Sequence, residues 1–413
     1  MTRADPLLLS VGAPAEALAD SLIQAWAAGR AVGLAHPAEG SALTEAIGAG
    51  DALAPWQAAV VLGSGGSSGG RHWCVQPLDH LRASAAATAT WLEQRGLDPA
   101  ACLHLNPLPL HHVSGLLPLV RCRSWGAELR FLPPAWLRDP ALLAAACPLP
   151  PGRPALVSLV PTQLGRLLAS ADGLAWLRGM AVIWVGGAAL PQPAADLARR
   201  HDLRLSPCYG ATETAAMVTA LPPERFLAGQ SGCGSALCDV ELRLDPTGTS
   251  ALQVRTDRLC PGWLEDGQLR PLPRDGEGWW RSGDAARLAA GGLNLLGRLD
   301  GALQSGAETV FPEQVEAQLL AAAARDRLPL EAVLVLGVPD ADWGERLVAL
   351  VRPCVGADGP ALIRALQAIT APWWPATRPR LWQLCPTLAP TATGKWQRAR
   401  WRRWLEGEKG AGR

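Results

Sequence analysis

The 413-residue chain is 49% hydrophobic and 18% charged and has a formal net charge of +1, which indicates a folded protein with a large core. A charge this close to zero provides no electrostatic attraction to nucleic acid or to an anionic membrane. The ten cysteines are scattered without a CxxC pair, so the sequence favours thiols in a reducing cytoplasm over a disulfide framework or a metal site.

The N-terminal segment "MTRADPLLLSVGAPAEALADSL" has an apolar run that acidic residues soon interrupt, so we expect no secretory signal. The uncharged stretch "GMAVIWVGGAALPQPAA" contains glycine and proline. It predicts a buried strand followed by a loop rather than a membrane span. We therefore expect a cytoplasmic protein with no membrane span and no nucleic-acid partner.

Strand and helix patterns alternate along the first half of the chain. Residues 1–56 are alanine-rich with helical spacing, and "AAVVLGSGGSSGG" indicates a buried strand that runs into a Gly/Ser loop. A helix is predicted over 78–95, and from "CLHLNPL" to "LRLSPCYG" apolar strands alternate with helical segments. This alternation is typical of an α/β core with a largely parallel sheet.

The pattern changes in the second half. From about 230 to 298, short strands with Gly and Asp turns predict a β-rich subdomain. Beyond residue 300, helices and strands alternate in a small α+β unit that ends in the basic helix "WQRARWRRWLE". The predicted fold is therefore α/β. It has a large N-terminal domain at 1–299, with parallel-rich sheets and the β-rich subdomain, and a small mobile C-terminal domain at 300–413.

The first segment with a chemical signature is "SGGSSGGRH" at 64–72. Glycine lets backbone N–H groups approach an anion, and serine hydroxyls add hydrogen-bond donors, so such a loop can surround a phosphate. A flexible surface loop has the same composition. The Walker pattern is absent.

The second segment is "YGATE" at 209–213, which contains the only tyrosine of the chain. An aromatic face can stack on a nucleobase, a threonine hydroxyl can bind a phosphate oxygen, and a glutamate can hold Mg²⁺ beside that phosphate. An ordinary strand end with a capping threonine is the alternative.

The third segment, "RSGDAARLAAGGLNLLGRLDGALQSGAETVFPEQVE" at 281–316, contains Asp284, Arg298 and Asp300. An aspartate at a strand end can accept hydrogen bonds from both hydroxyls of a ribose, and an arginine fourteen residues later can reach the same sugar. By spacing alone the segment is a β-hairpin, and Arg298 with Asp300 could be a solvated ion pair.

The fourth segment is "TATGKWQRAR" at 391–400, which contains Lys395, one of only two lysines. A lysine on a glycine-flanked loop is a mobile point charge that could bridge a carboxylate and a phosphate. An exposed lysine before a basic helix is the alternative.

These segments occur in a recognisable order together with "PLHHVSGL" (109–116), "VGGAAL" (185–190) and "GVPDADWGE" (337–345). In order and spacing the chain resembles the adenylate-forming acyl-CoA synthetases over about residues 57–400. Within them, the o-succinylbenzoate–CoA ligases of menaquinone and phylloquinone synthesis look most similar, because of the short N-terminal region and "SLVPTQLGRLL" (158–168). The resemblance implies an AMP-forming acid–thiol ligase with ATP, Mg²⁺ and coenzyme A as reactants, and often a homodimer.

The resemblance assigns nucleotide roles to matched positions. Tyr209 would stack on adenine, Thr212 would contact the α-phosphate, and Glu213 would hold Mg²⁺. Asp284 would bind the ribose hydroxyls with help from Arg298. The positions implied for nucleotide or coenzyme binding are Ser64, Gly65, Gly66, Ser67, Ser68, Gly69, Gly187, Tyr209, Gly210, Asp284, Arg298 and Gly306.

It also implies roles on the acyl side and in the small domain. His112 would lie near the carboxylate, beside the backbone of Gly186 and Gly187. Lys395 would contact the carboxylate and the α-phosphate during adenylation. After a rotation about Asp300, the Gly306 region would line the channel for pantetheine.

The chain departs from the family at the end of the Gly/Ser loop. Arg71 and His72 stand where Pro-Lys is usual, and Gly65 stands where serine is usual. Because histidine is neutral or weakly charged near pH 7, pyrophosphate would be held less firmly unless Arg71 compensates. Two alternatives therefore stay open: a ligase of another aryl or fatty acid, and a non-catalytic nucleotide-binding relative.

Overall fold

The computed structural model describes residues 7–10, 14–48, 52–53, 55–56, 58–65, 71–306, 308–391 and 396–411. These residues form twelve α-helices and twenty-two strands in four sheets. The helices are α1 (Ala15–Ala27), α2 (Gly40–Ile47), α3 (Leu78–Glu93), α4 (Val113–Trp125), α5 (Pro140–Ala146), α6 (Pro161–Leu168), α7 (Ala171–Arg178), α8 (Gln192–Arg200), α9 (Pro223–Leu227), α10 (Pro312–Arg325), α11 (Gly359–Thr370) and α12 (Arg398–Ala411). The strands are β1 (Leu7–Ser10), β2 (Val32–Ala35), β3 (Ala59–Gly65), β4 (Arg71–Pro77), β5 (Leu103–Asn106), β6 (Glu128–Phe131), β7 (Ala155–Leu159), β8 (Met180–Val185), β9 (Leu205–Ala211), β10 (Ala216–Ala220), β11 (Ser235–Ala236), β12 (Glu241–Leu244), β13 (Ala251–Arg255), β14 (Gly262–Glu265), β15 (Gln268–Pro271), β16 (Trp280–Ala289), β17 (Gly292–Arg298), β18 (Leu303–Ser305), β19 (Glu308–Val310), β20 (Leu330–Asp340), β21 (Gly344–Pro353) and β22 (Leu381–Leu384).

The first sheet combines N-terminal strands with a distant hairpin, in the order β1-β2-β3-β4-β14-β15. Strands β1 to β3 are parallel, whereas β4, β14 and β15 add antiparallel pairs. The helical spacing of residues 1–56 is realised in α1 and α2, but β1 and β2 also lie in this region. Each is only four residues long, too short to give a clear alternating pattern.

The second sheet holds the parallel core, in the order β11-β10-β9-β8-β7-β5-β6. All neighbours from β9 to β6 are parallel, and β10 and β11 are antiparallel at one edge. Strands β5, β7 and β8 are almost uniformly buried, as expected for parallel strands covered on both faces. The carboxyl ends of these strands meet at one edge, which is where open α/β sheets bind ligands.

The third sheet, β12-β13-β16-β17, is antiparallel and belongs to the predicted β-rich subdomain. The hairpin β14–β15 comes from the same stretch of sequence but pairs with β4 in the first sheet. This pairing joins segments nearly 190 residues apart. Periodicity along one strand carries no information about its partner.

The fourth sheet contains only strands beyond residue 300, in the order β19-β18-β21-β20, with β22 paired to β21. Helices α10 and α11 cover one face with residues such as Leu319 and Leu366, and α12 covers the other with Trp401 and Leu405. Helix α10 also packs against α8 and β17, so this unit contacts the preceding sheets. The prediction of a mixed α/β fold is confirmed.

Within the described ranges, no helix combines the length and the apolar character that a bilayer crossing requires.

Candidate active site

The Gly/Ser segment connects β3 to β4, which pair as antiparallel strands. Ser64 pairs with His72 and Gly65 pairs with Arg71, so the strand extends into the predicted loop. Ser64 is buried and Gly65 is exposed. The predicted phosphate-binding residues Gly66, Ser67, Ser68 and Gly69 lie outside the described residues.

Strand β9 extends beyond its predicted end and includes Tyr209 and Gly210. A 3-10 turn, Thr212–Thr214, follows, and the chain returns as β10 through Ala215 and Ala216, which both have positive φ. Gly210 is required here, because a Cβ atom would collide with the backbone of Ala216. The sharp return brings the predicted adenine, phosphate and metal residues into one short segment.

Tyr209, Asp284 and Arg298 form a connected cluster. The Tyr209 hydroxyl donates to Oδ2 of Asp284 at 2.6 Å, and an Arg298 guanidinium nitrogen lies 3.3 Å from Oδ1 of the same carboxylate. Asp284 and Arg298 are direct partners in the β16–β17 register. The hairpin that the spacing predicts therefore brings the two side chains together, and their shared contact with a ribose remains a prediction.

Burial changes the acid–base properties of this cluster. It raises the pKa of Asp284, although Tyr209 and Arg298 both favour the ionised carboxylate. Burial and the adjacent carboxylate also raise the pKa of Tyr209. The carboxylate is therefore held in a poorly solvated position, where hydrogen bonds from a ligand's hydroxyl groups are worth more than in water.

Arg298 also connects this cluster to residue 300. Its guanidinium group lies 3.4 Å from Oδ1 of Asp300, so the ion pair foreseen as a solvated alternative exists together with the pair to Asp284. An open cleft of about 360 Å³ borders these side chains. It is lined by Arg281, Gly283, Arg298, Leu299 and Asp300.

Glu213 is held by its backbone and by its side chain. The Cys260 N–H donates to the Glu213 carbonyl at 2.7 Å, and Nε1 of Trp263 donates to Oε1 at 3.1 Å. Among the described residues, this is the only hydrogen bond to its carboxylate. A carboxylate with one oxygen still open, at the end of a β-strand, fits the hard oxygen ligand that Mg²⁺ requires.

The neighbouring backbone is fixed by two further side chains. Nε2 of Gln76 donates to the Thr212 carbonyl at 2.6 Å. The buried guanidinium of Arg258 donates to the Thr214 carbonyl and pairs with Asp239 at 2.6 Å. Residues from two distant parts of the chain, Gln76 and the stretch 258–263, therefore hold the segment that carries Thr212 and Glu213.

The acyl side of the predicted site lies at the start of α4 and the end of β8. His112 precedes the first turn of α4 and lies 4.3 Å from His111, centroid to centroid. Gly187 has a φ of 81°, and a Cβ atom on Gly186 would lie 3.0 Å from the Cys208 sulfur. The described contacts do not join His112 to Tyr209 or Asp284, so its role remains a prediction.

Arg121 is a buried cation that the sequence patterns did not single out. It lies on α4 with its guanidinium 5.0 Å from the Trp184 ring centroid, and Cys208 is a neighbour. Its Nε has no hydrogen-bond partner, and no ion pair of the described residues includes it. Burial lowers its pKa to about 10. An uncompensated buried charge is costly, and it suggests a site for an anion.

The predicted residues of the C-terminal unit are only partly described. Gly306 has a φ of 58°, and its N–H donates to the Trp343 carbonyl at 2.9 Å. Lys395 and residues 392–394 lie outside the described residues. Arg398, three residues later, donates to Glu316 at 2.7 Å and to Glu313 at 3.1 Å, which anchors the segment that follows Lys395.

Sequence reasoning missed Gln76, Arg121, Arg258 and Trp263. Arg121 leaves one usable signal, because it falls four residues after Leu117 on the apolar face of a predicted helix. Gln76 interrupts the apolar β4 in a similar way. The other two contact the site only through tertiary structure and leave no local pattern.

Comparison with known proteins shows which family model and which relatives match the chain. A model of the family described as AMP-binding enzyme matches residues 17–254. The 2-succinylbenzoate–CoA ligase of Salmonella typhimurium is 33% identical over 248 residues, which cover 60% of this chain and 48% of the relative. The chain thus spans about half the length of this curated relative.

Two solved structures extend the comparison. Escherichia coli MenE with a bound phenylether-linked analogue of OSB-AMS superimposes with a TM-score of 0.61 at 26% identity, over 84% of this chain and 69% of that chain. The o-succinylbenzoate CoA synthetase of Bacillus subtilis superimposes with a TM-score of 0.76 at 18% identity, over 97% of this chain and 88% of that chain. This likeness shows a shared fold. Since the family match covers more than half of the chain, including the segment around Tyr209 and Glu213, the chain belongs to the family of AMP-binding enzymes.

Proposed function

We propose that the protein is an ATP-dependent acid–CoA ligase that converts 2-succinylbenzoate to 2-succinylbenzoyl-CoA through an acyl-adenylate, in menaquinone or phylloquinone biosynthesis. The observation that carries the proposal is that Asp284 contacts both Tyr209 and Arg298 beside the Glu213 turn. The name of the 33%-identical relative supports the choice of acid, as does the OSB-AMS analogue bound to a 26%-identical protein.

In this proposal the cluster holds the nucleoside. Tyr209 stacks on adenine through its ring, and Asp284 accepts hydrogen bonds from the ribose hydroxyls. Arg298 keeps Asp284 oriented from the opposite strand of the hairpin. The residues Ser64–Gly70 surround the β- and γ-phosphates, and Thr212 contacts the α-phosphate.

Glu213 would supply a carboxylate oxygen to Mg²⁺, and a bound Mg²⁺ would neutralise phosphate charge. Binding aligns the acid with ATP. The acid's carboxylate oxygen then attacks the α-phosphorus, and pyrophosphate leaves. In the second step the thiol of coenzyme A attacks the acyl carbon and AMP leaves. The protein's contribution to both steps is positioning and charge compensation.

Arg121 supports a substrate with two carboxylates. One carboxylate reacts beside His112 and the backbone of Gly187. The other needs a cation deeper in the fold, and Arg121 is buried near Cys208, whose sulfur adjoins Gly186. A dianionic acid would supply the partner that the guanidinium lacks among the described residues.

We propose that the unit beyond residue 300 moves between the two steps. Lys395 would contact the carboxylate and α-phosphate in the first, and Gly306 would line the pantetheine channel in the second. Asp300 is a suitable pivot, because Arg298 pairs with both Asp300 and Asp284. One guanidinium group therefore connects the pivot to the carboxylate proposed to bind the ribose. A cytoplasmic location and a homodimer complete the proposal, on the sequence and the family resemblance alone.

The two alternatives make different demands. A ligase of another aryl or fatty acid would have no use for an unpaired Arg121. A non-catalytic relative would bind ATP without turnover, as the Arg71-His72 departure suggests.

A panel of benzoates, medium-chain acids and 2-succinylbenzoate, with ATP, Mg²⁺ and coenzyme A, separates all three. We expect pyrophosphate release and a CoA thioester detected by mass with 2-succinylbenzoate; ATP binding without pyrophosphate release from any acid contradicts the proposal.

A further inference from the structure

The orientation of the Glu213 carboxylate depends on one indole. Nε1 of Trp263 donates to Oε1 of Glu213 at 3.1 Å, and Glu213 is only 8% exposed. A glutamate side chain has three rotatable bonds, so fixing one oxygen removes most of its freedom and directs the other. A charge-assisted hydrogen bond of this kind is stronger than one between neutral groups.

Trp263 is itself held firmly by the first sheet. It is the direct partner of Cys74 in the antiparallel pair of β14 with β4. His72 lies two residues before Cys74, on the same face of the strand. Its ring lies 5.0 Å from the Trp263 ring, centroid to centroid, with a tilt of 34°. The indole is thus placed between the end of the Gly/Ser hairpin and Glu213.

The backbone at Glu213 is fixed independently of the indole. The Cys260 N–H binds its carbonyl, and Arg258 binds the next carbonyl, of Thr214. Losing the indole N–H would therefore release the carboxylate while leaving the turn in place. This separation allows a positioning role to be measured apart from a structural one.

We propose that Trp263 is a positioning residue that orients the Glu213 carboxylate for Mg²⁺, and that His72, whose ring packs against the indole, links this carboxylate to the base of the Gly/Ser hairpin. The inference rests on the proposed function, since it takes Glu213 as the metal ligand. It also gives a role to His72, which stands where the resemblance leads one to expect lysine.

The test is calorimetric titration of ATP into the full-length protein over a series of Mg²⁺ concentrations and in EDTA. For Trp263→Phe, which keeps a ring and removes the donor, we expect Mg²⁺-dependent ATP binding to weaken about tenfold, the effect of losing one hydrogen bond to a charged group. Metal-free ATP binding should stay within twofold. Trp26→Phe is the matched control: Trp26 is also half-buried and donates to a backbone carbonyl, that of Ala59, at 3.3 Å. Trp26→Phe should change neither the Mg²⁺-dependent nor the metal-free binding of ATP.

Two further variants complete the test. In a Glu213→Gln background, Trp263→Phe should add no further loss, because the indole acts through that carboxylate. His72→Ala, at an exposed position, leaves the core intact and should weaken Mg²⁺-dependent binding severalfold. This variant keeps the test decisive should Trp263→Phe fold poorly.

The outcomes separate this inference from the proposed function. A wild-type protein that binds no ATP with or without Mg²⁺ overturns both. Wild-type binding that depends on Mg²⁺, with the same dependence in Trp263→Phe and His72→Ala, overturns only the positioning role. Equal weakening with and without metal, or additive losses in the Glu213→Gln background, also overturns it.

Discussion

Replacing Arg121 by methionine tests whether the buried cation recognises a second carboxylate. The fall in the pKa of this guanidinium, from 12.5 to about 10, corresponds to roughly 3 kcal/mol at about 1.4 kcal/mol per pH unit. This is the order of the cost that burial imposes on the charge in the absence of a partner. A bound dianion would recover part of it, and a monocarboxylate would recover none.

Two opposite effects are therefore expected from Arg121→Met. The kcat/KM for 2-succinylbenzoate should fall about 10- to 100-fold, because the second carboxylate would enter a site without a cation. The kcat/KM for benzoate should stay the same or rise. The ligand-free protein should be as stable as the wild type or more stable by up to about 3 kcal/mol, because an unpaired buried charge has been removed.

Pyrophosphate release measures both acids, and chemical denaturation without ligand measures stability. Arg123→Met is the matched control, since Arg123 lies on the same helix but is exposed; it should change none of these values. Equal losses for 2-succinylbenzoate and benzoate would refute the reasoning, because Arg121 would then act on something common to both acids. A large loss of stability would refute it too.

Three further predictions concern other parts of the chain. Lys395→Ala should lose most adenylation and retain thioester formation from supplied acyl-adenylate, measured as separate half-reactions, because the proposed function uses its ammonium only while charge develops at the α-phosphate. Arg398→Met should destabilise the protein by about 3 kcal/mol in chemical denaturation, because it leaves Glu316 buried without its cation, and adding Glu316→Leu should recover most of the loss. His104→Phe should flatten the pH dependence of stability: burial lowers the His104 pKa to about 3, so below its ordinary 6.5 only the unfolded wild-type chain takes up this proton. The free energy of unfolding of the wild type should therefore fall, relative to that of the variant, by up to about 1.4 kcal/mol per pH unit as the pH falls from 6.5.

Each of these three has a contradicting result. Equal loss of both half-reactions in Lys395→Ala removes the assigned role of the lysine. An unchanged denaturation midpoint in Arg398→Met means that the ion pairs contribute nothing net. Parallel stability curves for wild type and His104→Phe between pH 6.5 and 4 mean that His104 takes up its proton in the folded state as well.

The nucleotide cluster shows how far sequence reasoning extends. Asp284 and Arg298 were predicted to reach the same sugar, and the segment between them was recognised as a β-hairpin. A hairpin is a local structure, and its register places these two residues, fourteen apart, side by side. Tyr209 was singled out because it is the only tyrosine, yet its bond to Asp284 joins two sheets. Composition suggested the residue, and only the packing of the sheets supplied its partner.

The sequence by itself determined most of the elements and their order, though not the short strands β1 and β2, because apolar periodicity and glycine turns act within about ten residues. It also determined that the Gly/Ser segment follows one buried strand and that the segment with Tyr209 and Glu213 follows another. The tertiary structure decided that β14 joins the first sheet, and with it that Trp263 reaches Glu213, fifty residues away. It also decided that Arg121 lies buried near Cys208 without an ion-pair partner among the described residues. Both outcomes depend on burial and on pairing between distant strands, and neither leaves a mark in the neighbouring sequence.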